Sequence, residues 1–160
     1  MREKFIILRG DEMDIQFIIC FVIQWTWGFI QNFSGLCMAM LWRQKDWHRY
    51  KNAIVTHYTN RKRARKGYFA MGMFIFTDDM LPVATYDKVL SHEYGHTVQS
   101  MILGPFFPLV VGLPSMLRFR YFSFLKKIGR RPSEKYSVRY PENWANHLGE
   151  KATGKKPIDW

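Results

Sequence analysis

The chain lacks the features that hold small secreted domains together. Its 160 residues include only two cysteines, Cys20 and Cys37. They lack Cys-x-x-Cys spacing, which indicates buried free thiols rather than a disulfide framework or a metal knuckle. There is no internal repeat and no low-complexity segment. The length fits a single domain.

Acidic residues are scarce, and this restricts the partners of the chain. There are 13 Asp and Glu against 24 Lys and Arg, which gives a net charge of +11. A basic surface can bind nucleic acid, or it can mark the cytoplasmic flanks of membrane segments. No nucleic-acid-binding motif is visible, and basic residues follow each apolar stretch. We therefore predict a membrane partner and no nucleic acid.

The first apolar stretch is almost free of charge over residues 15–42. As one helix it would be about 42 Å long, which exceeds the roughly 30 Å hydrocarbon core. It is therefore expected to tilt, to project from the bilayer, or to break near Gly28, Asn32 and Gly35. A helical hairpin and a buried soluble helix are the alternatives. It is not a signal peptide, since no small-residue cleavage site follows.

The flanking charges predict an orientation at the cell membrane. Residues 1–14 hold three basic and four acidic side chains, whereas residues 43–51 hold four basic and one acidic. The positive-inside rule places the second flank, and the domain after it, in the cytoplasm. Residues 9–13 resemble a translated ribosome-binding site. We therefore expect Met13 to be the natural start and residues 1–12 to be a non-native extension.

Two segments rich in β-branched and aromatic residues, 52–59 and 68–77, predict a β-hairpin. The basic loop between them, residues 60–67, is either a solvated turn or a contact for anionic lipid. A second apolar segment, residues 101–117, contains three prolines, which disfavour a straight spanning helix. A single crossing would also place the basic run 118–131 outside. We therefore predict a re-entrant or interfacial segment, although a hairpin over residues 15–42 would remove the conflict.

Two helices are predicted in the second half of the chain. The first covers residues 86–103 and stops at Gly104-Pro105. Gly95 inside it lowers the stability of the helix by about 1 kcal/mol relative to alanine. Either backbone or substrate approaches closely at this position, or the glycine is simply tolerated. The second is short, with Pro141 in its first turn and Gly149 as its C-cap.

The pentapeptide His92-Glu93-Tyr94-Gly95-His96 lies in the first of these helices. Histidines four apart project from one face and can hold one ion. A catalytic zinc site uses three protein ligands and leaves one position for water. Glu93 beside a ligand can take a proton as that water attacks a carbonyl, and can pass it to the leaving amine. The pattern predicts a zinc site with Glu93 as the catalytic base.

The third ligand is expected on the second helix. Glu142 and Asn146 are four residues apart, so that Glu142 can bind the metal while Asn146 orients a ligand histidine. Other candidate ligands are Asp78, Asp79 and His147. Tyr136 and Tyr140 are either oxyanion donors or packing residues. His48 and His57 are expected to be surface or sheet residues.

His92-Glu93-x-x-His96 followed by Glu142-x-x-x-Asn146 resembles the gluzincin pattern of zinc peptidases, with asparagine where those enzymes usually have aspartate. A wider set of motifs resembles a family of small bacterial membrane proteins and implies no substrate for them. That set is Trp25-Thr26-Trp27-Gly28, Met73-Phe74-Ile75-Phe76, the segment 92–100, Leu103-Gly104-Pro105, Gly112-Leu113-Pro114-Ser115 and Glu142-x-Trp144-Ala145-Asn146. The resemblance implies a minimal zincin-like core.

The expected fold is α+β. It comprises an N-terminal membrane helix, a β-hairpin, the HExxH helix, a proline-containing apolar segment and a short C-terminal helix. The expected divisions are 1–12, an extension; 13–42, a membrane segment; 43–149, a zincin-like domain containing the apolar segment 101–117; and 150–160, a polar tail.

Two functions follow from this pattern. The first is a membrane-associated zinc metallopeptidase acting on a peptide or protein substrate. The second is a non-catalytic, zinc-stabilised membrane protein, which a closed four-ligand site would indicate. A third hypothesis, lipid or nucleic-acid binding by the basic residues 61–66, does not depend on the metal.

Overall fold

The computed structural model describes residues 15–42, 45–58, 67–78 and 81–159. Within these residues the fold is α+β, with five α-helices and a four-stranded mixed sheet. Three of the sequence predictions lie outside the described residues: the extension 1–12 with its start at Met13, the basic loop 60–66, and Asp79 as a ligand.

The first apolar stretch is broken at Gly28. Helix α1 (Ile15–Thr26) and helix α2 (Phe29–Leu41) meet at a bend of 96°. In the described part of the chain, no individual helix has both the length and the apolar character to cross a membrane. Two bent helix pairs meet the criteria of length and composition together, namely α1 with α2 and Val83–Phe106 with Pro108–Lys127.

The polarity of α1 and α2 is inverted relative to a helix on a water-soluble protein. Their buried side chains include Gln24, Gln31 and Asn32, and each makes a hydrogen bond within the protein. Their outer face is apolar and exposed, and its residues include Ile19, Val22, Phe29, Ile30, Phe33 and Leu41. A soluble helix shows the opposite arrangement, with its apolar stripe on the core.

The sheet contains strands β1 (Lys45–Tyr50), β2 (Ala53–His57), β3 (Phe69–Met71) and β4 (Phe74–Thr77) in the order β1-β2-β4-β3. The predicted hairpin between residues 52–59 and 68–77 is wrong, because β2 and β4 pair in parallel. The second segment instead folds back on itself as the antiparallel pair β3–β4.

The reason for this difference lies in the turn between β3 and β4. Gly72 has a φ of +62°, which a glycine adopts without strain, and the side chain of Asn32 accepts a hydrogen bond of 2.7 Å from Met73 N. The segment therefore reverses direction at a point where the sequence pattern indicated one continuous strand.

Strand β4 is buried on both faces, as its run of apolar residues requires. Phe74 and Phe76 pack with residues of α2, whereas Ile75 packs with Leu90 and Tyr94 of the following helix. The sheet thus lies between α2 and the helix that carries the His-Glu-x-x-His motif.

That helix, α3 (Val83–Leu103), contains the predicted segment and begins three residues earlier. It ends at Gly104, whose φ is +53°. The chain then forms a 3-10 turn (Gly104–Phe106) and a π-helical segment (Pro108–Gly112). Helix α4 (Leu113–Lys127) follows, which the sequence analysis missed. The prolines at 105, 108 and 114 lie in the first turns of these three elements, where proline is tolerated.

The last helix, α5 (Glu142–Thr153), is longer than predicted. Gly154, with a φ of +71°, follows its last residue in the left-handed conformation that favours glycine. Gly149 is therefore not a C-cap, as the sequence suggested, but an interior residue of α5 packed closely against α3. Residues 150–153 of the predicted polar tail belong to this helix, and Ile158 N bonds to Lys88 O.

Candidate metal centre

The central helix α3 presents both histidines of the motif on one face. His92 and His96 are buried, and their ring centroids are 4.9 Å apart with the rings nearly perpendicular. The opposite face of α3 packs on the sheet through Leu90 and Tyr94. The four-residue spacing places the two rings side by side, and the sheet fixes which way they face.

Helix α5 brings the third donor to the two rings. The carboxylate oxygen Oε2 of Glu142 lies 3.2 Å from His92 Nε2 and 3.2 Å from His96 Nε2. The approach depends on glycine, because a Cβ built on Gly95 would lie 1.9 Å from the Ala145 carbonyl oxygen. The sequence expectation of a close approach at Gly95 is thus met by the backbone of α5.

Both imidazoles are oriented by partners on their other nitrogen. His92 Nδ1 lies 2.6 Å from Asn146 Oδ1, and His96 Nδ1 lies 2.8 Å from Gln99 Oε1. The Gln99 amide is oriented in turn, because its Nε2 donates to the Pro141 carbonyl oxygen at 3.1 Å. Each Nδ1 therefore donates a proton, and in the neutral ring the Nε2 lone pair faces the centre.

His92, His96 and Glu142 form a possible metal-binding triad. Two imidazole lone pairs and one carboxylate oxygen converge, and the three ligand atoms lie within 4.8 Å of one another. Lone pairs at such distances repel unless a positive charge lies between them. Two nitrogens and one oxygen form a donor set that suits a divalent transition metal. In the described residues, no fourth His, Cys, Asp or Glu joins the cluster.

The second oxygen of Glu142 is held from outside the cluster. Its Oε1 accepts hydrogen bonds from Ser115 Oγ at 2.6 Å and from the Tyr136 hydroxyl at 3.0 Å. Burial alone would raise the pKa of Glu142, but its contacts with the two imidazoles and the hydrogen bond from Ser115 outweigh burial and hold that pKa well below its ordinary value. Glu142 is thus a fixed carboxylate with Oε2 free to bind a cation.

Glu93 lies beside the cluster and in the wall of the same cavity. The Ala70 amide of β3 donates to its carboxylate, while Oε2 is buried with no hydrogen-bond partner in the described structure. The pKa of Glu93 is raised to about 7, chiefly by burial; the charge of His92 opposes this rise and that of Glu142 adds to it. A buried carboxylate oxygen without a donor can accept a proton from a group in the cavity.

The remaining candidates divide into those at the centre and those away from it. Tyr136 lines the cavity and bonds to Glu142, whereas Tyr140 does not line it and donates to the Val110 carbonyl oxygen. Asp78 and His147 are not part of the cluster. His48 and His57 lie on β1 and β2, with their rings stacked 5.2 Å apart, which matches their predicted sheet positions.

Two residues of the centre were not assigned by sequence reasoning, namely Ser115 and Gln99. Both fall in segments that carry the family resemblance, Gly112-Leu113-Pro114-Ser115 and residues 92–100. That clustering was the only available signal, because neither residue type is a usual metal ligand.

No protein-family model matches the chain, and neither a curated protein nor a solved structure is similar enough to count as a match. The assignment of the site therefore depends on its geometry and chemistry.

Asn146 provides a test of how the His92 ring is oriented. Asn146→Leu removes the acceptor of His92 Nδ1 and is expected to lower zinc affinity by about 10–100-fold. Asn146→Asp keeps the acceptor and adds a charge, and is expected to bind zinc at least as tightly as wild type. Competition with a chromophoric chelator measures both affinities.

The exposed neighbour Asn143 on α5 supplies the control, since Asn143→Leu should leave zinc affinity unchanged. Equal affinity for Asn146→Leu and wild type would mean that Asn146 does not orient the ligand.

Proposed function

We propose that the chain is a membrane-associated zinc metallopeptidase. The observation that carries the proposal is the convergence of His92 Nε2, His96 Nε2 and Glu142 Oε2 in a cavity wall that also contains Glu93. A three-ligand cluster beside an open cavity is the arrangement of catalytic sites, whereas structural zinc sites are closed by a fourth protein ligand. The open cavity thus favours hydrolysis over a purely structural role.

Each residue of the centre has a task in this proposal. His92, His96 and Glu142 hold the ion, which when bound supplies a Lewis acid that activates water and polarises the scissile carbonyl. Glu93 accepts the proton of the attacking water at Oε2 and returns it to the leaving amine. Ser115 and Tyr136 hold Glu142 Oε1, so that Oε2 remains turned towards the histidines.

The sheet supports a peptide as the substrate. Strand β3 is the last strand in the order β1-β2-β4-β3, and its residues Phe69, Ala70 and Met71 line the cavity. An extended peptide can add to the outer edge of such a strand through main-chain hydrogen bonds. This would hold a peptide bond beside Glu93, whose carboxylate already contacts the Ala70 amide.

The inverted polarity of α1 and α2 supports a location in the cell membrane. Amide side chains of these helices bond inward to α3 and β4, while large apolar side chains face outward. Water would be a poor solvent for that outer face, whereas lipid chains would cover it. In the proposed orientation the basic flanks face the cytoplasm.

Metal removal tests the proposal. Purified protein in lipid nanodiscs is expected to contain about one zinc ion per chain and to cleave members of a quenched-fluorescence peptide library. A chelator should abolish cleavage, and added zinc should restore it. His92→Ala should lose both the ion and the activity, because two remaining ligands bind weakly.

His147→Ala, an exposed histidine one turn beyond Glu142, is the matched control and should keep both zinc and activity. Cleavage that survives complete removal of the ion, or that equals wild type in His92→Ala, would refute the proposal.

A further inference from the structure

The cavity above the metal centre is large for a chain of this size. It has a volume of about 1030 Å³, at the upper end of the range for ligand pockets. Its polar groups are concentrated at the metal centre, where His92, His96, Glu93 and Glu142 lie. The rest of the lining comes mainly from β3 and from residues 107–119, which include the π-helical segment and the first two turns of α4.

That second wall is almost wholly apolar. It is formed by Phe107, Leu109, Val111, Leu113, Met116 and Phe119. No lysine or arginine among the described residues lines the cavity, although the chain has 24 of them. A charged side chain placed against this wall would lose its hydration without gaining a polar partner there, so the wall favours apolar side chains.

The apolar wall is also part of the outer surface. Leu109, Leu113, Met116 and Phe119 line the cavity and are exposed at the same time. They adjoin a further exposed apolar residue of the same segment, Phe106. The cavity therefore opens through an exposed apolar surface of the bent helix pair Val83–Phe106 and Pro108–Lys127, which has the length and composition of a membrane segment.

We infer that the substrate is an apolar peptide segment that enters from the lipid bilayer through the 107–119 wall. This inference deepens the proposed function and rests on it. A lipid acyl chain would suit the same apolar wall, but it has no amide groups that could form hydrogen bonds with strand β3. Residues of β3, the outer strand of the described sheet, line the cavity, and an extended peptide can pair with the edge of such a strand.

Binding can be measured separately from cleavage. The Glu93→Gln variant, loaded with zinc in lipid nanodiscs, is mixed with a lysine-flanked peptide of leucine and alanine that contains one photo-reactive leucine. Cross-links are expected at residues 107–119. An unlabelled apolar peptide should compete at least about tenfold better than a serine–glycine peptide with the same flanks.

Helix α4 offers a matched pair of variants. Leu113 is 43% exposed and lines the cavity, whereas Leu117 on the same helix is 55% exposed and does not. In the Glu93→Gln background, Leu113→Glu is expected to reduce cross-linking at least about tenfold, because it places a charge in the entrance. Leu117→Glu should change it by less than about twofold.

The outcomes separate the two proposals. Equal competition by apolar and polar peptides, insensitivity to Leu113→Glu, or equally strong competition by a single-chain fatty acid would overturn the inferred substrate class. Selective cross-linking at residues 107–119 with no cleavage by the wild-type protein would support the binding inference while refuting hydrolysis.

Discussion

Glu93→Gln is expected to keep the bound ion and to lower the rate of peptide hydrolysis by about 10³-fold. The side chains have the same size and shape, so the ligands on α3 and α5 should not move. Glutamine cannot accept the proton of the attacking water. The removed group is a buried carboxylate whose Oε2 has no partner in the described structure, so the loss should fall on the reaction rather than on folding.

Three measurements on one preparation check this expectation: zinc content, the free energy of unfolding and the hydrolysis rate. Glu150→Gln makes the same chemical change at an exposed position on α5, and it should leave all three unchanged. If Glu93→Gln hydrolysed peptides within about tenfold of wild type, the base would have to be another group. If it lost zinc, Glu93 would be acting on the metal instead.

Gly95→Ala and Gly149→Ala are expected to be among the most damaging substitutions in the chain. Helix propensity alone predicts a gain of about 1 kcal/mol for alanine inside a helix. At these two positions the close crossing of α3 and α5 makes alanine destabilising instead of stabilising. A Cβ on Gly149 would lie 2.0 Å from the Ser91 carbonyl oxygen, and one on Gly95 would lie 1.9 Å from that of Ala145. Backbone must move in both cases, at a cost of about 3 kcal/mol.

The same displacement should affect the metal. Glu142 lies three residues before Ala145 on α5, so moving α5 away from α3 withdraws Oε2 from the two histidines. We expect both variants to unfold at lower denaturant concentration and to lose zinc affinity together. Denaturant titration in micelles and chelator competition measure the two effects.

Gly112→Ala is the control for these glycine variants. A Cβ there would meet its nearest atom at 3.8 Å, which is ordinary contact, and its conformation is helical. Its free energy of unfolding should be unchanged or slightly higher than that of wild type. Equal stability of Gly95→Ala and Gly112→Ala would mean that the helices do not approach as closely as the coordinates indicate.

The donor residues could be predicted from sequence because their geometry is local. Helical spacing places His92 beside His96, and likewise Glu142 beside Asn146, whichever way the two helices pack. The residue types then indicated that the two helices meet, because two imidazoles and one carboxylate are a common ligand set for zinc. The structure brings His92, His96 and Glu142 together, as this pattern predicts.

What the sequence could not provide depends on contacts between distant segments. The reversal at Gly72 is stabilised by the hydrogen bond from Met73 N to Asn32, which lies 40 residues before Gly72. No local sequence pattern predicts such a bond. The parallel pairing of β2 and β4 follows from that reversal. Ser115 likewise became part of the centre only because α4 folds back onto Glu142.

A shortened chain that begins at β1 is not expected to give a water-soluble form of the domain that carries the metal triad. Removing α1 and α2 would leave the Met73 amide without its acceptor Asn32, and it would remove the hydrogen bond that Gln31 donates to the Gly104 carbonyl. It would also uncover the aromatic face of β4 that Ala39 and its neighbours cover. The two N-terminal helices are thus a structural half of the core as well as an exposed apolar surface, and biochemical work has to retain them.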